Sequence, residues 1–331
     1  MESPLLKLPG AVPADPPDTG IAAHYGEPVQ EQRALVRPGD GAFVDRGNRG
    51  VVRIEGPDRL RWLHSMTTQD LGHLKPAEPA EALLLSPQGR IEHHLSLVDD
   101  GTAVWAHVEP GTVGDLVKFL DSMRFMLRVE VADVTDAYAV VTATRPTGDI
   151  AFSDIVGTTS IVPRAGLAEL GKAAADSGPR PAGLWAYEAL RIAAHRPRPG
   201  LDTDERTIPH EAGWIETAVH LDKGCYRGQE TVARVHNLGR PPRRLVFLHL
   251  DGSVDRLPGH GDPVELEGRT VGFVGSAARH HELGPIALAM VKRNVPVEAQ
   301  LLAGGVAAAQ EVVVSPDTGA NVTIALRRRP A

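Results

Sequence analysis

The sequence predicts an α+β protein with largely antiparallel strand pairing, followed by a small β-barrel. Two observations support this fold class. Over most of the chain, short apolar or alternating strands are interspersed with amphipathic helices. From Arg244 onward the pattern is almost entirely short strands between Gly and Pro turns, which is typical of a small barrel. At 331 residues the chain exceeds one ordinary domain and can bury more than one core.

The elements follow in order. Residues 1–24 carry Pro4, Pro9, Pro13, Pro16 and Pro17, and this composition predicts a disordered leader. A short helix is predicted over Glu27–Leu35, with a proline in its first turn. The strands predicted next are Phe43–Asp45, Val51–Gly56, Glu81–Ser86, Ile91–Val98, Ala103–Val108, one beginning at Val129, and Tyr138–Thr142. The predicted helices are Pro57–His64, Thr112–Phe125, Leu167–Asp176 and Pro181–His195.

A break at Asn237–Pro242 separates the barrel from the rest. We therefore predict a leader (1–24), a central region (25–240) and a C-terminal barrel (241–331). The predicted barrel strands are Leu245–Leu250, Pro263–Leu266, Val271–Ser276, Ile286–Val291, Glu311–Val314 and Val322–Leu326.

Charge and cysteine content exclude several classes of protein. The formal net charge is -7, and a general nucleic-acid binder needs a basic footprint, so no direct nucleic-acid partner is predicted. A single cysteine excludes an intramolecular disulfide framework and a self-contained four-cysteine metal site. The sequence shows neither a secretory signal nor a membrane-length apolar run, which predicts a soluble cytoplasmic protein without membrane contact.

The most informative segment is Lys223–Glu230, which contains that cysteine, Cys225, between two cations. Nearby positive charge favours a reactive thiolate, and Gly224 and Gly228 allow conformations that a Cβ would block. The residues after Gly228 could open a helix or a strand. The alternative is a buried, inert cysteine, since free cysteine is among the most buried residue types.

This segment, Lys-Gly-Cys-Tyr-x-Gly-Gln-Glu, resembles the signature of the YgfZ-type folate-binding proteins. These are relatives of the glycine-cleavage T-protein, a tetrahydrofolate-dependent aminomethyltransferase. Leu63–Leu71, Ser86–Ile91 and the stretch from Glu267 to Ala289 are similar to further parts of the same family. The resemblance implies two interleaved α+β subdomains within residues 25–240, which with the barrel enclose a central folate cavity.

The resemblance also implies a function. It points to an accessory protein that binds tetrahydrofolate or a one-carbon derivative and supports iron–sulfur cluster assembly or repair, including in tRNA-modifying enzymes. Transient partners would be iron–sulfur client or assembly proteins. Cys225 would be the working thiolate, with Lys223 beside it. The residues expected to bind folate or line its cavity are Met66, Thr67, Arg191, Tyr226, Arg227, Gln229, Glu230, Arg234 and Trp62, with Lys223 a further candidate for the glutamate tail.

Two departures from the family leave other hypotheses open. The aspartate of the T-protein reaction is expected at or near His93 or His94, and the pterin-facing glutamate of an Arg-x-Glu motif is replaced by Ala193. Glu92 or Glu188 could substitute for that glutamate. A one-carbon transferase or demethylase using His93 or His94 as base is the alternative function, and a folate-independent scaffold the third. Adjacent strand residues point to opposite faces, so no metal site is predicted at the two histidines.

Overall fold

The computed structural model describes residues 2–37, 41–176 and 178–319. A 3₁₀ turn over Pro4–Lys7 comes first. The strands are β1 (Val12–Pro13), β2 (Ala22–His24), β3 (Ala42–Asp45), β4 (Gly50–Glu55), β5 (Pro79–Leu85), β6 (Ile91–Asp99), β7 (Ala103–Val108), β8 (Glu130–Asp133), β9 (Tyr138–Ala143), β10 (Ile150–Asp154), β11 (Gly157–Pro163), β12 (Arg180–Ala182), β13 (Arg243–Leu250), β14 (Pro263–Leu266), β15 (Arg269–His280), β16 (Gly284–Lys292), β17 (Gln300–Ala303) and β18 (Val306–Val312). The α-helices are α1 (Pro28–Val36), α2 (Arg59–Met66), α3 (Val113–Ser122), α4 (Gly166–Ala175), α5 (Leu184–Ala193), α6 (Pro209–Ala212), α7 (Ile215–Ala218) and α8 (Gln229–Asn237).

Two five-stranded sheets precede the barrel, and they interleave along the chain. The first sheet has the order β10-β11-β9-β3-β12, and the second has the order β5-β6-β7-β4-β8. Pairing in both is antiparallel, apart from the parallel pair of β12 and β3. The chain leaves the first sheet after β3, builds the second from β4 to β8, and returns at β9. The predicted fold class of two interleaved α+β subdomains is confirmed.

The C-terminal strands close into a six-stranded barrel in the order β13-β16-β15-β14-β17-β18. Alternate residues of β13, such as Val246 and Leu248, fill its interior, because side chains alternate across a strand. Helix α5 joins this barrel to the first sheet. Its Ala189 and Ile192 pack on the barrel wall, while Leu184 and other residues on its opposite side pack on the first sheet. A helix that is apolar on several sides is buried, as α5 is.

The N-terminal segment differs from the predicted disordered leader. Leu5 is buried against α4, and Ile21 is buried with α1 and α5. The carboxylate of Asp18 accepts two hydrogen bonds from Arg198, at 3.0 and 2.9 Å. The composition of this segment suggested that it has too little apolar surface to fold. A few of its side chains nevertheless pack against helices and an arginine from later parts of the chain. Such tertiary contacts cannot be read from local composition.

Some element boundaries also differ. The predicted helix to Phe125 ends at Ser122, and Phe125 has a left-handed backbone with φ of 49°. The predicted start of α5 at Pro181 is wrong, because Arg180–Ala182 form β12 beside β3. Strand β18 begins earlier than predicted, at Val306, where an alanine run gives a weak strand signal. The predicted strand Val322–Leu326 lies outside the described residues. Across 2–37, 41–176 and 178–319, no helix has the length and apolar character of a membrane span.

Candidate functional site

Residues Lys223–Gly228, here called the signature loop, lie between α7 and α8 and pack on the turn between β5 and β6. Gly228 has a φ of 81°, and a Cβ there would lie 2.6 Å from the carbonyl oxygen of Ser86. Gly89 has a φ of 77°, and a Cβ there would lie 2.6 Å from the Thr231 side chain. Both positions need glycine for conformation and for space. The two glycines therefore join the signature loop to the hairpin turn.

Lys223 anchors the other end of the signature loop. Its ammonium group donates to three backbone carbonyl oxygens at the end of α2, those of His64, of Thr67 at 2.5 Å and of Gln69 at 2.9 Å. Burial lowers the pKa of Lys223 to about 8. An ammonium has three N–H donors, so these contacts use all of them. Lys223 is placed as a structural anchor, which differs from its predicted role beside the thiol.

The cysteine itself is exposed, so the alternative of a buried Cys225 is wrong. Arg227 pairs with Glu92 at 2.7 Å, and its guanidinium lies 4.9 Å from the ring centre of Phe119. A Cβ on Gly224 would meet no atom within 4 Å. Both cations expected to act on the thiol therefore have other partners. What the fold provides is an accessible thiol on a loop fixed at both ends.

The remaining predicted residues near the signature loop are not gathered at one site. Tyr226 is buried in an apolar cluster with Trp214 and Val232. The side-chain Nε2 of Gln229 donates to the backbone carbonyl oxygen of Lys223 at 3.5 Å. Two further residues, Glu230 and Arg234, are exposed on α8. The segment after Gly228 is a helix, one of the two predicted alternatives.

A central cavity of about 500 Å³ lies between the inner face of the second sheet, the edge strand β10, helix α5 and residues 196–198. Of the predicted folate-binding residues, only Arg191 is in its wall. Trp62 is buried in the core of the second sheet, and Met66 packs on the same core. The hydroxyl of Thr67 donates to the carbonyl oxygen of Leu63 at 2.9 Å. From that segment Gln69 and Asp70 reach the cavity wall instead.

One wall of the central cavity is a buried ion-pair network centred on Arg198. This guanidinium contacts Asp18 at 2.9 Å, Glu109 at 2.9 Å and Glu188 at 3.2 Å. Burial alone would raise the pKa of Glu188, but Arg191 and Arg198 outweigh it and lower that pKa to about 2. The same balance holds the pKa of Glu109 well below its usual range. Glu109 and Glu188 are therefore ionised at neutral pH, and the contacts with Arg198 fix the positions of all three carboxylates.

Arg191 extends the network towards the barrel. It contacts Glu188 at 2.6 Å and Asp202 at 2.8 Å, and it donates to the hydroxyl of Ser276 on β15 at 2.5 Å. Two residues later, Ala193 packs with the cluster on the barrel wall and supplies no carboxylate. Glu188 is committed to two arginines, and Glu92 pairs with Arg227 outside the cavity wall. Neither predicted substitute for the missing glutamate is free in the cavity.

The two histidines of β6 face different spaces, as the alternation of a strand predicts. His94 is in the wall of the central cavity, and His93 lines a separate open groove. The ring of His94 stacks on Trp214 with centroids 5.1 Å apart, and its Nε2 lies 3.3 Å from a carboxylate oxygen of Glu81. Burial and the nearby Arg49 lower the pKa of His94 to about 4. Of the two histidines at or near the position expected for the aspartate, the one in the wall of the central cavity is therefore neutral.

Comparisons with known proteins agree with this architecture. Residues 243–330 match the family model described as the glycine cleavage T-protein C-terminal barrel domain. The chain is 27% identical over 224 residues to the iron-sulfur cluster assembly factor IBA57 homolog, mitochondrial, of Mycosarcoma maydis, covering 61% of this chain and 55% of that protein. The fold is similar to that of the glycine cleavage system aminomethyltransferase T from Bartonella henselae, with a TM-score of 0.80 and 17% identity, covering 94% and 96% of the two chains.

The similarity is also extensive in sequence. The chain is 30% identical over 309 residues to the aminomethyltransferase of Parasynechococcus marenigrum, which covers 80% of this chain and 82% of that protein. A match over 80% of the chain is longer than any single module of the fold. The chain therefore belongs to the aminomethyltransferase family.

Proposed function

We propose that this protein binds a reduced folate in the central cavity and serves as an accessory factor of the YgfZ type in iron–sulfur cluster assembly or repair. The observation that carries the proposal is His94. The family fold is present and encloses a cavity, but the aspartate expected at or near His93 or His94 is absent, and the histidine in the cavity wall, His94, has a pKa of about 4. This arrangement supports ligand binding more readily than the aminomethyltransferase reaction.

A reduced folate fits the central cavity in size and in the chemistry of its wall. The volume of about 500 Å³ lies within the range of about 300–1,000 Å³ that small-molecule sites occupy. The wall combines flat or apolar side chains, such as Phe152 and Tyr187, with polar groups such as Gln69 and Arg191. These residues, rather than those of the signature loop, would hold the folate. When bound, it would supply a carrier for one-carbon units.

The iron–sulfur role is supported by Cys225 and by one relative. The thiol is exposed on a loop whose two ends are fixed by Lys223 and by Gly228. A thiol held in this way can meet a partner protein at a constant position. The similarity to an iron-sulfur cluster assembly factor, at 27% identity, favours a client or assembly protein as that partner.

The second candidate function is a folate-dependent one-carbon transferase, which the 30% identity to an aminomethyltransferase favours. His94 faces the central cavity and is neutral, so it can accept a proton. Its lowered pKa makes it a weak base, however, and general acid–base groups typically contribute about 10²–10⁴-fold to a rate. We therefore expect no aminomethyl transfer from a lipoyl-bound donor.

Titration of the purified protein with tetrahydrofolate tests the proposal. A ligand that binds only the folded state stabilises it by about 2.7 kcal/mol at 100 times its Kd, so the melting temperature should rise with concentration. Stacking of Trp214 on His94 provides a second readout by fluorescence. A melting curve unchanged by millimolar tetrahydrofolate would contradict folate binding. Production of methylenetetrahydrofolate with turnover, abolished by His94→Ala, would establish the transferase instead.

A further inference from the structure

The wall of the central cavity contains carboxylates, although the family glutamate is replaced by Ala193. Those in the wall are Asp70, Glu78, Glu81, Glu109 and Asp154. A pterin ring presents an N–H and a neighbouring amino group on one edge, and a carboxylate accepts both hydrogen bonds at once. A carboxylate that binds the pterin in this way needs two acceptor positions that no donor of the protein occupies.

The most deeply placed carboxylates are already saturated. Glu109 accepts from Arg49 at 2.8 Å and from two nitrogens of Arg198 at 3.0 and 2.9 Å. Asp154 accepts hydrogen bonds from Arg46, Tyr187, Thr159 and the backbone of Ile155. A carboxylate has about four lone-pair positions, so neither group has an open pair directed at a ligand.

The two most exposed carboxylates of the wall, Asp70 and Glu78, are less suited for other reasons. Asp70 pairs with His64 at 2.9 Å and accepts from the backbone nitrogen of Gly72 at 3.1 Å and from His73 at 3.3 Å. Glu78 is exposed in the turn before β5. Water competes for the acceptor positions of an exposed carboxylate, so Glu78 gains little from a ligand.

Glu81 differs from all of these. It lies on β5, opposite Ser96 of β6, and its side chain is 20% exposed. One carboxylate oxygen pairs with Arg196, and the other accepts from Nε2 of His94 at 3.3 Å. Among the described residues these are its only side-chain partners. One acceptor position on each oxygen therefore stays open, which is the pattern that a pair of adjacent donors requires.

We propose that Glu81 binds the ring N–H and amino group of the pterin in this protein, in place of the glutamate that is absent at Ala193. The inference rests on the proposed folate binding and names the residue that recognises the ring. Arg196 and His94 orient the carboxylate from its other side. In this arrangement Nε2 of His94 is the donor to Glu81, because an ionised carboxylate can only accept.

Glu81→Gln tests the inference, since it keeps the size of the side chain and replaces one acceptor oxygen by a donor. We expect the Kd for tetrahydrofolate, measured by Trp fluorescence and by calorimetry, to rise about 10-fold or more. The Kd for p-aminobenzoylglutamate, which lacks the pterin, should not change. Glu78→Gln, in the same wall, is the matched control and should leave both constants within about 2-fold.

The outcomes separate the two proposals. Wild-type protein that binds no tetrahydrofolate overturns folate binding and this inference together. Equal tetrahydrofolate affinity of wild type and Glu81→Gln overturns the inference alone. A parallel loss for p-aminobenzoylglutamate also overturns it, because Glu81 would then act through Arg196 on the rest of the ligand.

A change in the ligand provides a test that does not depend on folding of the variant. The 2-desamino-2-methyl analogue of tetrahydrofolate lacks one of the two donors. We expect it to bind wild-type protein about 10-fold or more weakly than tetrahydrofolate. Equal binding of the two ligands would overturn the inference.

Discussion

The signature loop and the central cavity differ in how they are held. The signature loop is fixed at one end by Gly228 and Gly89, which pack where a Cβ would not fit. It is fixed at the other end by Lys223, which donates hydrogen bonds to three carbonyl oxygens. The cavity wall depends instead on charged side chains, such as Arg198 and Asp18, that meet from positions 180 residues apart. The loop is therefore sensitive to added volume, whereas the cavity is sensitive to loss of charge. Variants of each kind can test this difference.

The largest expected effect is that of Arg198→Met. Removing this guanidinium takes one cationic partner from each of three buried carboxylates, of which Glu109 keeps Arg49 and Glu188 keeps Arg191, and breaking a buried ion pair costs about 3–5 kcal/mol. Urea unfolding at pH 7 measures the loss. Arg206→Met is the control, since Arg206 is exposed and its change should stay within about 0.5 kcal/mol. A loss below about 1 kcal/mol for Arg198→Met would show that the network contributes little.

The pH dependence of the unfolding free energy is a further test of the ion-pair network around Arg198. The pKa of Glu188 is lowered from 4.5 to about 2, so its ion pairs stabilise the folded state fully above pH 4.5. That contribution is lost as the pH falls towards 2, because the unfolded chain binds the proton first. The difference in unfolding free energy between wild type and Arg198→Met should therefore shrink on acidification. A constant difference down to pH 3 would contradict this.

Gly228→Ala should have the next largest effect. A Cβ at a φ of 81° is strained, and it would lie 2.6 Å from the carbonyl oxygen of Ser86 and 2.9 Å from the Cα of Gly89. Together these terms cost about 2–4 kcal/mol. Gly224→Ala, in the same loop, meets no atom within 4 Å and should stay within about 0.5 kcal/mol. Similar losses for both variants would exclude local crowding as the cause.

Cys225→Ser should have the smallest effect on stability and a large effect on function. The thiol is exposed, so the unfolding free energy should change by less than about 0.5 kcal/mol. If the thiolate of Cys225 is needed for iron–sulfur cluster assembly or repair, a gene encoding the serine variant should not restore iron–sulfur enzyme activities in cells lacking the protein. Full restoration of those activities would remove Cys225 from the mechanism.

The sequence was sufficient to predict the fold class and to identify the signature loop. The signature loop is contiguous, so its cysteine and its glycines could be identified from local pattern. The opposite orientation of His93 and His94 also followed from the period of a strand. Of the residues predicted to bind folate, Arg191 lies in the cavity wall, whereas Met66 and Thr67 lie outside it and Gln69 and Asp70, a few positions later, are in the wall.

The ion-pair network could not be predicted, for a physical reason. Asp18 lies in a proline-rich segment, and nothing local indicates that it meets Arg198. Charged residues read from sequence are ordinarily assigned to the surface, because their burial is costly without a partner. Here the partners come from the N-terminal segment, from the residue after β7 and from α5, so only the folded chain identifies them. For the same reason, local pattern pointed to Glu92 and Glu188, and only the fold places Glu81 in the cavity wall.

The interleaving of the two sheets has a consequence for synthesis of the protein. Ala42 of β3 and Thr144 beside β9 are hydrogen-bonded, although they are 102 positions apart. The whole second sheet is encoded within that interval. During synthesis on the ribosome, β3 therefore stays unpaired with β9 until the second sheet has been synthesised. Non-local strand pairing of this kind is slow. An unpaired strand edge is open to association during that time, so substitutions in the second sheet that delay it should reduce the yield of soluble protein.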